Sequence, residues 1–198
     1  MRTAEVKRKT NETDVFVKLD LDGVGASKIN TGSGFFDHML TLFSKHSGID
    51  LEVSCKGDVE VDYHHSVEDV GIALGKAFSD ALSAEDAMKG IRRYGNMLLP
   101  MDEALVLSAL DISGRAHLEY SARIPSLKVG DFDTELCEEF WRAFVREARI
   151  TLHIKQLAGT NSHHVIEGMF KSVARSLLEA LSVDERFKGT IPSTKGVL

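Results

Sequence analysis

Two short stretches of this chain carry the same pattern, and they constrain its fold more than any other feature. Asp62-Tyr63-His64-His65-Ser66-Val67-Glu68-Asp69 precedes one apolar periodic run, and Asn161-Ser162-His163-His164-Val165-Ile166-Glu167-Gly168 precedes another. Four of the eight histidines fall in these pairs, and in each a carboxylate follows the first histidine by four residues. A helix brings positions i and i+4 onto one face. His64 with Glu68, and His163 with Glu167, can therefore each grip one ion. The second histidine of each pair is rotated by about 100° around the helix, so it suits a different ion. One such pair alone would read as an exposed polar helix start; its recurrence with the same spacing argues for ligation. Imidazole with carboxylate suits Mn²⁺, Fe²⁺ or Zn²⁺, and no cysteine stands nearby to make a structural zinc knuckle.

The surroundings repeat as well. Val15, Val17, Leu19 and Leu21 alternate with Phe16, Lys18 and Asp20, so residues 4–21 read as strand, with a hairpin turn at Thr10-Asn11-Glu12-Thr13-Asp14. A helix is predicted over 35–43, strands over 51–55 and 59–61 around a Lys56-Gly57-Asp58 turn, and a His-His helix to about Leu82. Its buried stripe is Val70, Ala73, Leu74, Ala77 and Phe78. Residues 83–89 read as a short helix or turn. The order then recurs: a strand over 104–112, another over 117–122, a turn at Gly130-Asp131, a helix over 134–148, a strand over 150–157 and the second His-His helix. Leu110-Asp111-Ile112-Ser113-Gly114 echoes Leu19-Asp20-Leu21-Asp22-Gly23. The expectation is an α/β fold of the α+β type, built by duplication of a unit of roughly 95 residues. The halves divide as residues 1–92 and 93–198, each a small mixed sheet with helices packed on one face.

Duplication also assigns ligands. The helix upstream of the first pair holds His38, 26 residues before His64, and its counterpart holds Glu139, 24 residues before His163. A pseudo-twofold must map one ion site onto the other. It allows one set of His64, Glu68, Glu139 and His164, and a second of His163, Glu167, His38 and His65, meeting within one chain or across subunits. Four ligands leave positions open on an ion such as Mn²⁺, as catalysis requires. His117 and His153 sit in strand patterns and read as hydrogen-bonded structural residues, while His46 lines the site more loosely.

A net charge of −6 without a long basic run argues against nucleic acid as partner. No stretch reaches membrane-span length, and the charged Met1–Asp14 segment is expected not to be a secretory leader. Two cysteines, Cys55 and Cys137, form no disulfide framework and fit a reducing cytoplasm.

Six ordered motifs carry a resemblance across nearly the whole chain. Phe36-Asp37-His38-Met39-Leu40, His64-His65-x-x-Glu68-Asp69 and Pro100-Met101-Asp102-Glu103-Ala104-Leu105 resemble the imidazoleglycerol-phosphate dehydratase family. Asp111-x-Ser113-Gly114-Arg115, Asn161-x-His163-His164-x-x-Glu167 and Pro192-Ser193-Thr194-Lys195-Gly196 continue it. The resemblance implies a hydro-lyase of histidine biosynthesis that converts imidazole glycerol phosphate to imidazole acetol phosphate. It also implies two Mn²⁺ per active site, placed between subunits, and trimers that build a cubic shell. Where this chain has Glu139 the family more usually has histidine, which leaves the bound ion more open than the reaction.

Dehydration of that substrate removes a carbon-bound proton of low acidity, so the imidazole must act as an electron sink. Two cations on its nitrogens would stabilise the imidazolate, and a carboxylate would carry the proton. Candidates are Glu12, which resembles the family's substrate-contacting glutamate, together with Glu68 and Glu167. The phosphate calls for cationic donors. Lys171 follows Glu167 by one turn, and Arg93, Arg115, Ser193 and Lys195 match family phosphate-site positions; His38 is also placed at the substrate. The rival readings are a dinuclear metal hydrolase and a metal-storing shell without catalysis.

Overall fold

Alternating burial along the first hairpin starts the fold. In the computed structural model, which describes residues 1–196, β1 (Thr3–Lys9) pairs antiparallel with β2 (Thr13–Asp20). Val15, Val17 and Leu19 of β2 are buried, while the residues between them face outward. β3 (Ser27–Asn30) leads through α1 (Gly34–Ser47) to β4 (Asp50–Gly57), which lies antiparallel to β2 and parallel to β3. α2 (His64–Leu82) completes the half.

The second half repeats this plan. β5 (Tyr94–Met101) and β6 (Ala104–Asp111) form the hairpin, β7 (His117–Ser121) is the parallel edge strand, and a small hairpin follows from β8 (Lys128–Val129) and β9 (Phe132–Asp133). α3 (Leu136–Ala148) then leads to β10 (Thr151–Ala158) and α4 (Ser162–Leu181). The sheet orders, β1-β2-β4-β3 and β5-β6-β10-β7, correspond strand for strand. The expected duplicated mixed sheet with helices on one face is what the chain forms.

One predicted element differs. Residues 59–61 are a turn, closed by Val61 N–H donating to Asp58 C=O, and Val59 and Val61 stay exposed. β4 already has β2 on one side and β3 on the other, so these residues cannot fold back into a hairpin with it. Their alternation therefore ends in the turn before α2. β3 and the β8–β9 hairpin, four and two-by-two residues long, are too short to show a period in sequence.

The helices pack across the halves. α2 covers β1 and β2, α4 covers β5 and β6, and α1 contacts α4 while α2 contacts α3. A single aromatic core results: Phe140 lies 4.9 Å from Trp141 and 5.3 Å from both Phe36 and Phe170 between ring centres. Two glycines let α2 and α3 approach. A Cβ on Gly71 would come within 2.9 Å of Phe140 O, and one on Gly75 within 2.5 Å of Phe144 O. The crossed pairing sets the site, because each His-His helix now faces the upstream helix of the other half.

Candidate metal centre

Both His-His helices start under local control. Asn161 Oδ1 accepts from the backbone N–H of His163 and His164, and Asp62 Oδ1 accepts from that of His64. Asparagine and aspartate satisfy orphan helix donors in this way, which fixes where each histidine lies on its helix face.

At the α1/α4 crossing, His38, His163 and Glu167 bring three potential ligand atoms within 4.8 Å of one another. Glu167 Oε2 lies 3.1 Å from His163 Nε2 and 3.4 Å from His38 Nε2. The ring of Phe35 stands edge-on to His163 at 5.2 Å, an apolar wall for this corner. Glu167 is buried, and Lys171 Nζ sits 2.5 Å from its Oε1. Burial works to raise the Glu167 carboxyl, but the Lys171 ammonium, with His163 and His38, outweighs it and holds the group below its ordinary range. His46, half-buried on α1, is pushed down by burial and then by Lys171 and Arg175.

The counterpart residues occupy the α2/α3 crossing. His64 and Glu68 lie on α2, and Glu139 lies on α3. Here arginines intervene: Arg146 stands 3.9 Å from Glu68, and Arg142 stands 3.8 Å from Glu139. These three side chains do not converge as His38, His163 and Glu167 do.

The second histidine of each pair turns to a different neighbourhood. His65 Nδ1 is 3.0 Å from Asp58 Oδ2, and its Nε2 is 3.7 Å from Glu12 Oε1 in the β1–β2 loop. His164 Nδ1 is 2.7 Å from Glu103 Oε2, and its Nε2 is 3.6 Å from Asp102 Oδ2 in the β5–β6 loop. Hydrogen bonding to Asp58 and to Glu103 respectively raises both imidazoles above their ordinary value. Glu103 is lowered to about 2, chiefly by His164 and then by the backbone N–H of Asn161. Within one chain, then, His65 does not join His38, His163 and Glu167, and His164 does not join His64, Glu68 and Glu139.

Asp58, Asp102 and Glu103 escaped the sequence reading as functional residues. A signal was present: the β1 and β5 hairpins have corresponding loops, Asn11-Glu12 and Asp102-Glu103, so a candidate Glu12 already pointed to Glu103.

The candidate phosphate residues divide into two places. Lys171 adjoins Glu167 in the middle of α4. Arg93 is held at the other end: its N–H donates to Ala180 C=O, its guanidinium makes two contacts with Asp111, at 2.6 and 3.1 Å, and Nη1 donates to Pro192 C=O. Ser193 and Lys195 follow Pro192 directly, and Arg115 is exposed in the turn before β7. Lys171 and Ala180 are separated by about 13.5 Å at 1.5 Å rise per helical residue.

Comparison with known proteins follows the same lines. A family model described as imidazoleglycerol-phosphate dehydratase matches residues 31–177. The imidazoleglycerol-phosphate dehydratase of Caldanaerobacter subterraneus is 56% identical over 198 residues, covering 100% of both chains. That of Desulforamulus reducens is 54% identical over 197 residues, covering 100% of this chain and 98% of the relative. Among solved structures, imidazoleglycerol-phosphate dehydratase from Staphylococcus aureus superposes with a TM-score of 0.83 at 42% identity, over 92% of this chain and 99% of that one. IGPD from Pyrococcus furiosus gives 0.81 at 36% identity, over 98% and 100%.

Proposed function

The chain belongs to the imidazoleglycerol-phosphate dehydratase family of carbon–oxygen hydro-lyases, and from that premise we propose a two-Mn²⁺ dehydration of imidazole glycerol phosphate to imidazole acetol phosphate in histidine biosynthesis. The observation that carries the metal reading is the convergence of His38, His163 and Glu167 across the two halves. Two imidazoles and one carboxylate suit a borderline divalent ion. Both thiols, Cys55 and Cys137, are buried, and neither belongs to this donor set.

One ion is assigned to His38, His65, His163 and Glu167, the other to His64, Glu68, Glu139 and His164. When bound, the ions supply Lewis-acid withdrawal of electron density from the substrate's imidazole nitrogens. The chain's own groups do the rest. Glu12, exposed beside His65, is the carboxylate assigned to move the carbon-bound proton, ahead of Glu68 and Glu167, which are committed as ligands. Lys171 neutralises Glu167 and presents an ammonium beside it for the phosphate.

Arg93 is anchored at the last turn of α4, about 13.5 Å along the helix from Lys171, and is committed to Asp111 and Pro192. It and the following Ser193 and Lys195 are therefore assigned to the phosphate of a second copy. The same holds for the two outward histidines, so a complete site needs a second copy. This supports the reading of trimers and a larger cubic shell with sites between subunits. The remaining assignments are a division at residue 92/93, a cytoplasmic location for a chain with two free cysteines, and no nucleic-acid or membrane partner; among the described residues no helix is long and apolar enough to cross a membrane. The test is direct: chain loaded with Mn²⁺ is incubated with imidazole glycerol phosphate and the ketone product is quantified. Ion-dependent product is expected. Two bound ions with no product would overturn the assignment.

A further inference from the structure

We propose that Asp58 and Glu103 are positioning residues, each holding the second histidine of its pair through Nδ1 so that Nε2 is the ion-binding atom; the proposal rests on the two-ion reading above. The two Asp58 oxygens lie 3.0 and 3.2 Å from His65 Nδ1, and Glu103 Oε2 lies 2.7 Å from His164 Nδ1. An ionised carboxylate only accepts hydrogen bonds. The neutral imidazole beside it therefore carries its proton on Nδ1 and keeps the Nε2 lone pair free. Such a partner fixes the ring's orientation and raises its basicity as a ligand.

The two halves reach this arrangement by different routes. Asp58 follows β4, whereas Glu103 belongs to the β5–β6 loop, so the residues are not counterparts in the repeat. The result is nevertheless the same ring nitrogen held and the same ring nitrogen presented. His38 and His163 also direct Nε2 toward their shared partner, Glu167. His38, His65, His163 and His164 thus offer the same atom. Two surface ion pairs formed independently have no reason to select Nδ1 at both corresponding histidines.

Asp58→Ala is the decisive variant, because Glu103 also accepts the N–H of Thr160 and Asn161 and its loss disturbs the start of α4. Full-length wild type, Asp58→Ala and Asp58→Glu are compared in two ways. Imidazole ¹⁵N resonances, recorded after chelation at a pH where the rings are neutral, report the tautomer. Titration with Mn²⁺, followed by the EPR signal of free ion, reports the number and strength of sites. In wild type His65 is expected as the Nδ1–H tautomer, and Asp58→Ala should lose that preference. The Mn²⁺ dissociation constant at one of two sites should rise about 10- to 100-fold, with Asp58→Glu recovering most of it. Equal constants in wild type and Asp58→Ala, or an Nε2–H tautomer in wild type, would overturn the positioning role. Wild type that binds no Mn²⁺ would remove the two-ion reading and this proposal with it.

Discussion

At the scale of single residues, Glu139 and Lys171 have the most to report. Glu139 sits half-buried on α3, and among the described residues its one ion pair is with Arg142, at 3.8 Å. If it ligates with His64, Glu68 and His164, Glu139→Ala should bind one ion in place of two and lose most activity. Glu139→His should keep both ions and shift preference from Mn²⁺ toward Zn²⁺ or Ni²⁺, because imidazole is the softer donor. Ion counts by elemental analysis decide this, and two ions with normal turnover in Glu139→Ala would return the residue to the surface. Lys171 touches Glu167 as well as facing the proposed phosphate, so Lys171→Ala should have two effects. Charged hydrogen bonds are worth roughly 1.5–3 kcal/mol, so KM should rise about tenfold or more. Removing the cation also lets the Glu167 carboxyl rise, so on acidification the ion should leave at a higher pH than in wild type. An unchanged KM would confine Lys171 to its pair with Glu167.

Elements are held by contacts that the repeat makes twice in different forms. Arg2, just before β1, bonds Asp22 and donates to Leu181 C=O, as Arg93, just before β5, bonds Asp111 and Pro192 C=O. The Arg2 guanidinium holds Asp22 below its ordinary range. A depressed carboxylate contributes stability above its unfolded pKa and loses it as pH falls. The melting-temperature advantage of wild type over Asp22→Asn should therefore be full at neutral pH and fade below about pH 4; a constant difference down to pH 2 would mean that the pair is unimportant. The α2/α3 contact makes a sharper test. In an open helix Gly→Ala gains about 0.8–1.0 kcal/mol. At Gly75 the new Cβ would meet the Phe144 carbonyl at 2.5 Å, and overpacking of this kind costs about 1–3 kcal/mol. The clash should win, so Gly75→Ala is expected to melt a few degrees lower at fixed protein and Mn²⁺ concentration. A raised melting temperature would show that the helices have room to separate. Strand order accounts for the turn at residues 59–61: with both flanks of β4 paired, Val59 and Val61 cannot form a hairpin with the strand they follow.

For the whole molecule, α4 is the decisive length. Glu167 lies in its first half and Lys171 at its middle, Arg93 and the Pro192 segment at its end. If His65 and His164 complete the ion sites of a second copy, ions shared between copies hold the assembly together. Chelation should then shrink the particle toward trimers, and Mn²⁺ should restore it. Light scattering that finds one size throughout would leave the sharing of ions between subunits without support. The amino-acid sequence determined the duplication and the helix faces bearing His64 with Glu68 and His163 with Glu167, because helical period and repeat order are local or copied properties. Symmetry assigned His38 to the second of these but left open whether the halves meet within one chain. Only the tertiary structure decided that α1 crosses α4 and α2 crosses α3, and that Asp58 and Glu103 hold the outward histidines. Those contacts join positions far apart in sequence, and they follow from how two sheets bury their helices in one core, a choice that no local pattern encodes.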